Sequence, residues 1–236
     1  DPNMEVSEKA IYTMQEEGVD LIELGVPFSD PAADGPVIQR ADERALAQGV
    51  DIFKVFELVR KIRNNVEVPM VFLLYYNVMV QYGIEKFFKR CQETGVDGLI
   101  IPDLPYEESD EIKEYTEKYG VYQISLVSPT SKDRIKNIAK DAKGFLYCIS
   151  SLGVTGEKSS FVTNFDEFVG TIKKYTDVPA CVGFGVSNGK QVKELTKYFD
   201  GAIVGSAIVK SIATGESVEE RINNLREKIK DLKSGL

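Results

Sequence analysis

The chain has 236 residues, a length at which an α/β barrel forms one domain, and 43% of them are hydrophobic, enough for a sizeable core. The formal net charge of −8 is spread over segments that also carry lysine, which indicates a solvated exterior and disfavours nucleic acid as a partner. Every apolar run falls short of the ~20 residues that a membrane helix needs, so no membrane span is expected.

Histidine is absent from the sequence, which removes the commonest zinc ligand and the commonest general base at neutral pH. Proton transfer must therefore fall to carboxylates, lysine, tyrosine or water. Three cysteines, Cys91, Cys148 and Cys181, lack any Cys-x-x-Cys spacing. They are expected to be buried free thiols in a reducing cytoplasm.

Short apolar runs rich in β-branched and aromatic residues alternate along the chain with longer amphipathic segments. This pattern is typical of parallel strands joined by crossover helices. The predicted strands are Leu21 to Leu24, Met70 to Tyr75, Gly98 to Ile101, Tyr122 to Val127, Phe145 to Ile149, Ala180 to Phe184 and Ala202 to Val204. The predicted helices are Val6 to Glu17, Val37 to Gln48, Ile52 to Asn64, Ile84 to Glu93, Glu107 to Tyr119, Lys132 to Asp141, Asn164 to Tyr175, Gly189 to Tyr198 and Val218 to Lys233.

The same residues recur at the boundaries between these elements, which indicates that one supersecondary unit is used many times. Val-Pro introduces a strand at Val68-Pro69 and again at Val178-Pro179, and glycines such as Gly95 and Gly120 close a helix before a strand. Since no linker interrupts the series, residues 1–236 are expected to form a single domain.

The fold class predicted from this series is α/β, a (βα)8 TIM barrel. Such a barrel needs eight strands, and seven are counted, because the chain enters its first helix directly after Asp1-Pro2. An open doubly wound sheet is the alternative. That fold would carry a Gly-x-Gly-x-x-Gly turn after the first strand, where this sequence has none.

Glu23 is the first candidate functional residue, because an acidic side chain near the carboxyl end of a strand lies where barrel active sites form. An ionised group there would be costly without a partner. The structural alternative is that Glu23 faces a helix or an ion partner. The following loop, Val26 to Pro36, holds three prolines and two aspartates and looks functional. Within it, Asp34 is a second candidate, the bland alternative being a turn or helix-cap aspartate before Pro36.

Glycine-rich turns follow the last two predicted strands, at Gly183 to Ser187 and at Gly205-Ser206, and each opens a helix. Free amides at such helix starts bind anions, and barrels often hold phosphate in these two loops. Glycine is also common wherever a strand meets a helix, so the signal alone is weak. Two further segments are noted: Ser150 to Lys158 has the character of a lid, and Tyr75 to Asn77 is either functional or ordinary strand-end packing.

The run from Ile22 to Pro36, IELGVPFSDPAADGP, resembles the signature of tryptophan synthase alpha subunits. Further matches follow in the family's order, so the resemblance covers essentially the whole chain. They are Tyr75 to Asn77, Pro102 to Pro105, Gly153 to Gly156, Gly183 to Ser187 and Gly205 to Val209. The family has a short helix and the first barrel strand ahead of the segment matching Asp1-Pro2, which agrees with the count of seven strands.

The resemblance implies a carbon–carbon lyase of tryptophan biosynthesis that cleaves indole-3-glycerol phosphate to indole and glyceraldehyde 3-phosphate by a retro-aldol step. It makes Glu23 and Asp34 the catalytic pair, and it requires neither a metal nor an organic cofactor. Glu23 would protonate indole C3 and then help to remove the proton of the chain hydroxyl, and Asp34 would hydrogen-bond the indole N–H. The substrate-binding residues that it implies are Tyr75, Tyr147, Thr155, Gly156, Phe184, Gly185, Gly205 and Ser206.

The resemblance also implies a partner, a PLP-dependent beta subunit, in an α2β2 heterotetramer. Loop residues around Asp30, Pro31 and Asn77 would face that subunit. Two alternatives stay open: a non-catalytic chain that activates a beta subunit, and another phosphate-binding barrel enzyme such as an isomerase. The Pro-Phe-Ser-Asp-Pro loop argues against the second.

Overall fold

A computed structural model describes residues 1–149, 164–183 and 185–236, and of Lys132 only the backbone. Its strands are β1 (Ile22–Gly25), β2 (Met70–Leu73), β3 (Gly98–Ile100), β4 (Tyr122–Gln123), β5 (Ser125–Val127), β6 (Leu146–Ile149), β7 (Ala180–Gly183) and β8 (Gly201–Ala202). Its helices are α1 (Met4–Glu16), α2 (Pro36–Ala47), α3 (Ile52–Ile62), α4 (Tyr76–Tyr82), α5 (Ile84–Thr94), α6 (Asp110–Tyr119), α7 (Ile135–Asp141), α8 (Phe165–Lys173), α9 (Gly189–Leu195), α10 (Ser206–Ala213) and α11 (Val218–Lys233).

All strand pairs in these residues are parallel, as the alternating pattern predicts. One ladder has the order β1-β2-β3-β4 and the other β5-β6-β7-β8. The predicted strand Tyr122 to Val127 is interrupted at Ile124, so the seven predicted strands appear as eight segments. The contacts divide the chain at the same place, into one compact unit of residues 1–123 with 208–229 and another of residues 124–207 with 230–236.

The core of the first unit lies between β2 and the helices α3 and α5. Phe56 on α3 packs its ring 5.4 Å from that of Phe72 on β2 and 5.4 Å from that of Phe87 on α5. All three rings are almost wholly buried, and each contributes roughly 1.5–3 kcal/mol through apolar area removed from water. In the second unit, Phe165 on α8 packs 5.3 Å from Phe199.

In each unit, an aspartate ahead of one strand accepts hydrogen bonds from the first amide of the neighbouring strand and from a basic side chain. This repeated arrangement confirms that one supersecondary unit is repeated. Asp97 Oδ2, just ahead of β3, accepts hydrogen bonds from Met70 N at the start of β2 (2.8 Å) and from Arg63 (3.0 Å).

In the second unit, Asp200 Oδ2, just ahead of β8, accepts from Ala180 N at the start of β7 (2.8 Å) and from Lys173 (2.6 Å). In both units the strand amide that the aspartate binds directly follows a Val-Pro pair. The aspartate satisfies the first amide of the strand, which would otherwise cost free energy if it were buried without a partner.

Helices end as the glycine pattern predicts. Gly95 and Gly120 are the C-caps of α5 and α6, with left-handed φ values of 82° and 66°, a conformation that glycine adopts at little cost. Cys91, Cys148 and Cys181 form no disulfide bond. Cys91 and Cys148 are buried as predicted, and Cys181 is half-buried.

Helix α4 was not predicted from the sequence. Its first amide, Tyr76 N, donates to both carboxylate oxygens of Asp103 (2.9 and 3.2 Å), and Met79 is buried beneath it. A carboxylate at a helix N-terminus is favourable. Because this cap comes from 27 residues further along the chain, local patterning gives no sign of it.

Candidate active site

Glu23 lies in the middle of β1, paired in register with Val71 of β2. Its side chain is half-buried, but the protein around the carboxyl group desolvates it strongly. This desolvation, together with the negative charge of Asp34, raises the pKa of Glu23 to about 7. Glu23 is therefore a carboxyl group that can both give and take a proton near neutral pH, the range in which a general acid–base catalyst is most effective.

Asp34 does not cap helix α2, so the helix-cap alternative is wrong. The N-cap position is Gly35, which makes no side-chain cap hydrogen bond, and Pro36 follows it in the first turn. The Asp34 carboxylate instead accepts a hydrogen bond from the Tyr75 hydroxyl at 2.7 Å. Desolvation raises the pKa of Asp34, and the Tyr75 hydrogen bond opposes that rise.

Tyr75 follows β2 and is the point where the loop after β1 is attached. Its ring is buried and stacks on Phe28 with the centroids 4.9 Å apart. Its hydroxyl also accepts from Ala33 N at 2.9 Å. Ordinary strand-end packing does not account for these contacts, since both polar ones go to the loop that carries Asp34.

Asp42, on α2, is a third carboxyl group of this cluster that sequence reasoning missed. Desolvation and the charge of Asp34 raise its pKa to about 7. In the sequence it stands in a run of charged residues that looks like any solvated helix face. Only its burial and the nearby charge of Asp34, which depend on tertiary structure, distinguish it.

Tyr147, on β6, lies over Gly183 of the neighbouring strand β7. A Cβ atom added at Gly183 would approach the Tyr147 hydroxyl oxygen to 2.5 Å and its ring to 2.6 Å. Glycine at position 183 therefore makes the room that the tyrosine ring occupies. This pair belongs to the second compact unit, and Glu23, Asp34 and Tyr75 belong to the first.

Gly185 and Gly205 follow adjacent strands of the second unit. The two strands pair in parallel, with Cys181 opposite Gly201 and Val182 opposite Ala202. Both glycines are exposed, with open space where a Cβ would lie. Ser206 begins α10, as predicted from the Gly-Ser turn. The geometry thus leaves room for an anion at these amides. Thr155, Gly156 and Phe184, also expected near the substrate, lie outside the described residues, as does the segment Ser150 to Lys158.

Among the residues that the structure describes, no group of three or more acidic or cysteine side chains is arranged to hold a metal ion. Over the same residues, none of the helices combines the length and apolar character needed to cross a bilayer.

Repeated parallel βα units with half-buried carboxyl groups in and after the first strand are typical of barrel enzymes that use carboxylates as acids and bases. The family model described as "Tryptophan synthase alpha chain" matches residues 1–236. The chain belongs to that family.

Similar proteins carry the same description. The tryptophan synthase alpha chain of Alkaliphilus metalliredigens is 46% identical over 99% of this chain and 89% of its own length. That of Methanocaldococcus jannaschii is 48% identical over 90% of this chain and 76% of its own.

Solved structures agree. Tryptophan synthase of Mycobacterium tuberculosis matches with a TM-score of 0.88 at 35% identity, over 99% of this chain and 88% of that one. The tryptophan synthase subunit alpha of Campylobacter jejuni matches with a TM-score of 0.87 at 40% identity, over 98% of this chain and 91% of that one.

The chain thus has the α/β, TIM-barrel fold of its family, as predicted. It is a tryptophan synthase alpha chain, a lyase of tryptophan biosynthesis that cleaves indole-3-glycerol phosphate to indole and glyceraldehyde 3-phosphate. The partner of this family is the beta subunit.

The raised pKa of Glu23 predicts a pH-dependent cost in stability. The folded state holds the Glu23 proton up to about pH 7, whereas the unfolded chain releases it near the ordinary glutamate pKa of 4.5. As the pH rises through this window the folded state binds more protons than the unfolded state, so stability falls. Glu23→Gln removes this cost and is expected to raise the free energy of unfolding at pH 8 by about 3 kcal/mol relative to wild type.

Urea unfolding at pH 4.5 and pH 8 measures this difference, which should nearly vanish at the lower pH. The control is Glu114→Gln, which neutralises an exposed glutamate of α6 and is expected to behave like wild type. An equal effect of Glu23→Gln at both pH values would contradict the burial argument.

Proposed function

We propose that Glu23 and Asp34 carry out the cleavage in this chain. The observation that carries the proposal is the pKa of Glu23, raised to about 7 by desolvation and by the charge of Asp34. In a sequence without histidine, such a carboxyl group is the one best suited to move protons at neutral pH.

In the first step Glu23 donates its proton to C3 of the indole, and a positive charge appears on the ring nitrogen. The ionised Glu23 then removes the proton of the hydroxyl on the adjacent chain carbon. As that carbon becomes the aldehyde, its bond to C3 breaks and the electron pair restores the neutral indole. Protons and electrons balance, and Glu23 ends protonated as it began.

Asp34 stabilises the charge on the nitrogen during these steps. One oxygen of its carboxylate, Oδ2, accepts from Tyr75, and we assign Oδ1 to the indole N–H. A negative charge fixed where positive charge develops lowers the barrier without reorganisation in the transition state. Desolvation strengthens the effect, because the local dielectric is lower than that of water.

The phosphate of the substrate is assigned to the amides after β7 and β8, at Gly185, Gly205 and Ser206. Phe184, which lies outside the described residues, is assigned to the same phosphate site. The open space at both glycines and the start of α10 at Ser206 support this assignment. Tyr147, Thr155 and Gly156 are assigned to the remainder of the substrate pocket. The whole of residues 1–236 would then act as one barrel domain in the cytoplasm.

Replacing Glu23 by glutamine tests the catalytic assignment. The amide keeps the shape of the side chain but cannot exchange a proton, so kcat for indole release is expected to fall by about 10²- to 10⁴-fold. Glu114→Gln again serves as the control. A kcat for Glu23→Gln within tenfold of wild type sinks the assignment and would favour a chain that acts mainly by activating its partner.

Gly205→Val tests the phosphate assignment. Valine fits sterically, because open space surrounds the position of the Cβ, but it fills the room assigned to the anion. Calorimetry with glycerol 3-phosphate is expected to show an affinity at least about tenfold weaker, the loss of one or more hydrogen bonds to a charged group. Gly170→Val, at another glycine with open space on α8, should bind like wild type. Unchanged affinity in Gly205→Val would mean that the glycine only allows the chain to turn.

The beta subunit is assigned to the face formed by the loop around Asp30 and Pro31 and by Asn77. Asp30 and Asn77 are exposed, and the loop borders a surface cleft of about 400 Å³ that is also lined by the exposed Leu46. Val80, one turn of α4 beyond Asn77, is also exposed. Exposed apolar side chains next to polar ones are common at protein interfaces. The proposed assembly is an α2β2 heterotetramer with a PLP-dependent beta subunit.

Reconstitution tests the partner assignment. Adding a beta subunit is expected to give a complex of α2β2 mass in sedimentation and a faster cleavage rate, since a ligand of one site that alters the other is coupled to it in free energy. Val80→Glu should weaken the complex, and Lys113→Glu, on the exposed part of α6, should not. If Val80→Glu assembles like wild type, the assigned face is wrong.

A further inference from the structure

Tyr75 makes polar contacts with two neighbouring residues of the loop after β1. Its hydroxyl oxygen accepts a hydrogen bond from Ala33 N at 2.9 Å and lies 2.7 Å from Asp34 Oδ2. A tyrosine hydroxyl has a single proton to donate. Since the Ala33 amide already donates to the oxygen, the proton of the hydroxyl points to Asp34.

The ring of Tyr75, like its hydroxyl, contacts the loop after β1. The side chain is only 6% exposed, and it stacks on Phe28, which belongs to the same loop, with an interplanar angle of 22°. The residue lies between the end of β2 and the first residue of α4, at the N-cap of that helix. Tyr75 thus joins a rigid strand–helix junction to the loop that carries Asp34.

We propose that Tyr75 is a positioning residue for the cleavage reaction: its hydroxyl fixes the Asp34 carboxylate in one orientation and keeps that group ionised. This inference rests on the proposed role of Asp34. It differs from a substrate-binding role for Tyr75, because here the tyrosine acts through the carboxylate and need not touch the indole.

The electrostatic part follows from opposing influences on Asp34. Desolvation raises the pKa of Asp34, and the hydrogen bond from Tyr75 lowers it. Without the hydroxyl, desolvation would act unopposed, and a larger share of Asp34 would be protonated at a given pH. A protonated carboxyl group has no net charge with which to stabilise a positive nitrogen.

The geometric part follows from the two oxygens of the carboxylate. Binding Oδ2 to Tyr75 fixes the rotation of the group and thereby the direction in which Oδ1 points. Fixed donors and acceptors stabilise a transition state without the cost of ordering them during the reaction. The stack of Phe28 on Tyr75 is a second contact that holds the same loop against the tyrosine.

The test uses Tyr75→Phe in the full chain, because this change removes the hydroxyl and leaves the ring and its stack on Phe28. We expect kcat to fall about 10- to 100-fold, the effect of losing one hydrogen bond to a charged group. We also expect the acidic limb of the pH–rate profile to move to higher pH. The matched control is Tyr76→Phe, which removes the hydroxyl of the next residue, whose partner is Glu111 on α6.

A double-mutant cycle separates action through Asp34 from direct contact with the substrate. In an Asp34→Ala background, Tyr75→Phe should lower kcat by less than about threefold, because the group that it positions is gone. Independent effects that multiply, or a raised KM with unchanged kcat, would overturn the proposal in favour of direct binding.

Carbon NMR of labelled aspartate carboxyls distinguishes failure of this inference from failure of the proposed catalytic role. In Tyr75→Phe without substrate, the Asp34 titration is expected at higher pH than in wild type, and an unchanged titration contradicts the positioning role. Full activity of Asp34→Ala contradicts the catalytic role of Asp34 itself, whatever the titration shows.

Discussion

Parallel strand pairing is the constraint on which the candidate site depends. Because β1 and β2 run in the same direction with Ile22 opposite Met70, the segments that leave their carboxyl ends emerge at the same edge. The loop after β1 brings Asp34 there, and the turn after β2 brings Tyr75. Residues 41 positions apart in the chain therefore meet in a 2.7 Å hydrogen bond. An antiparallel pairing would put the two segments at opposite ends of the ladder.

Three acidic side chains, Glu23, Asp34 and Asp42, interact at this edge and are partly removed from water. Glu23 and Asp42 both have pKa values raised to about 7, and in each case desolvation is the largest cause and the charge of Asp34 the second. Such an arrangement opposes folding, since each carboxyl group would be more stable ionised in water. Its consequence is chemical: the carboxyl groups of Glu23 and Asp42 hold their protons to a higher pH than a carboxyl group in water does. A chain without histidine obtains a neutral-pH acid in this way.

The sequence allows the fold to be predicted more completely than the site. Alternating apolar runs predict the parallel strands, and glycines such as Gly95 predict helix ends, because both signals depend on neighbours in the chain. The short helix α4 was missed because its N-terminus is capped by Asp103, far along the chain. For the same reason the sequence left Asp34 open between a catalytic carboxylate and a turn or helix-cap aspartate, because its contact with Tyr75 joins segments that are far apart in the chain. Asp42 was overlooked because burial, which distinguishes it from other helix aspartates, is a tertiary property.

The carboxyl groups at the two ends of the strands differ in their partners and in their exposure to water. At the amino ends, Asp97 and Asp200 each accept from the first amide of the preceding strand and from a cation, so each carboxylate has partners and stabilises the fold. At the carboxyl ends, Glu23 and Asp34 are desolvated, and neutral or like-charged groups influence their titration. Because the two ends of parallel strands lie apart, the desolvated carboxyl groups do not disturb the hydrogen bonds that Asp97 and Asp200 accept. The loops after β1 and β2 can therefore carry desolvated carboxyl groups while the amino ends of the strands keep their hydrogen bonds. This is the division between stability and chemistry that a βα barrel provides.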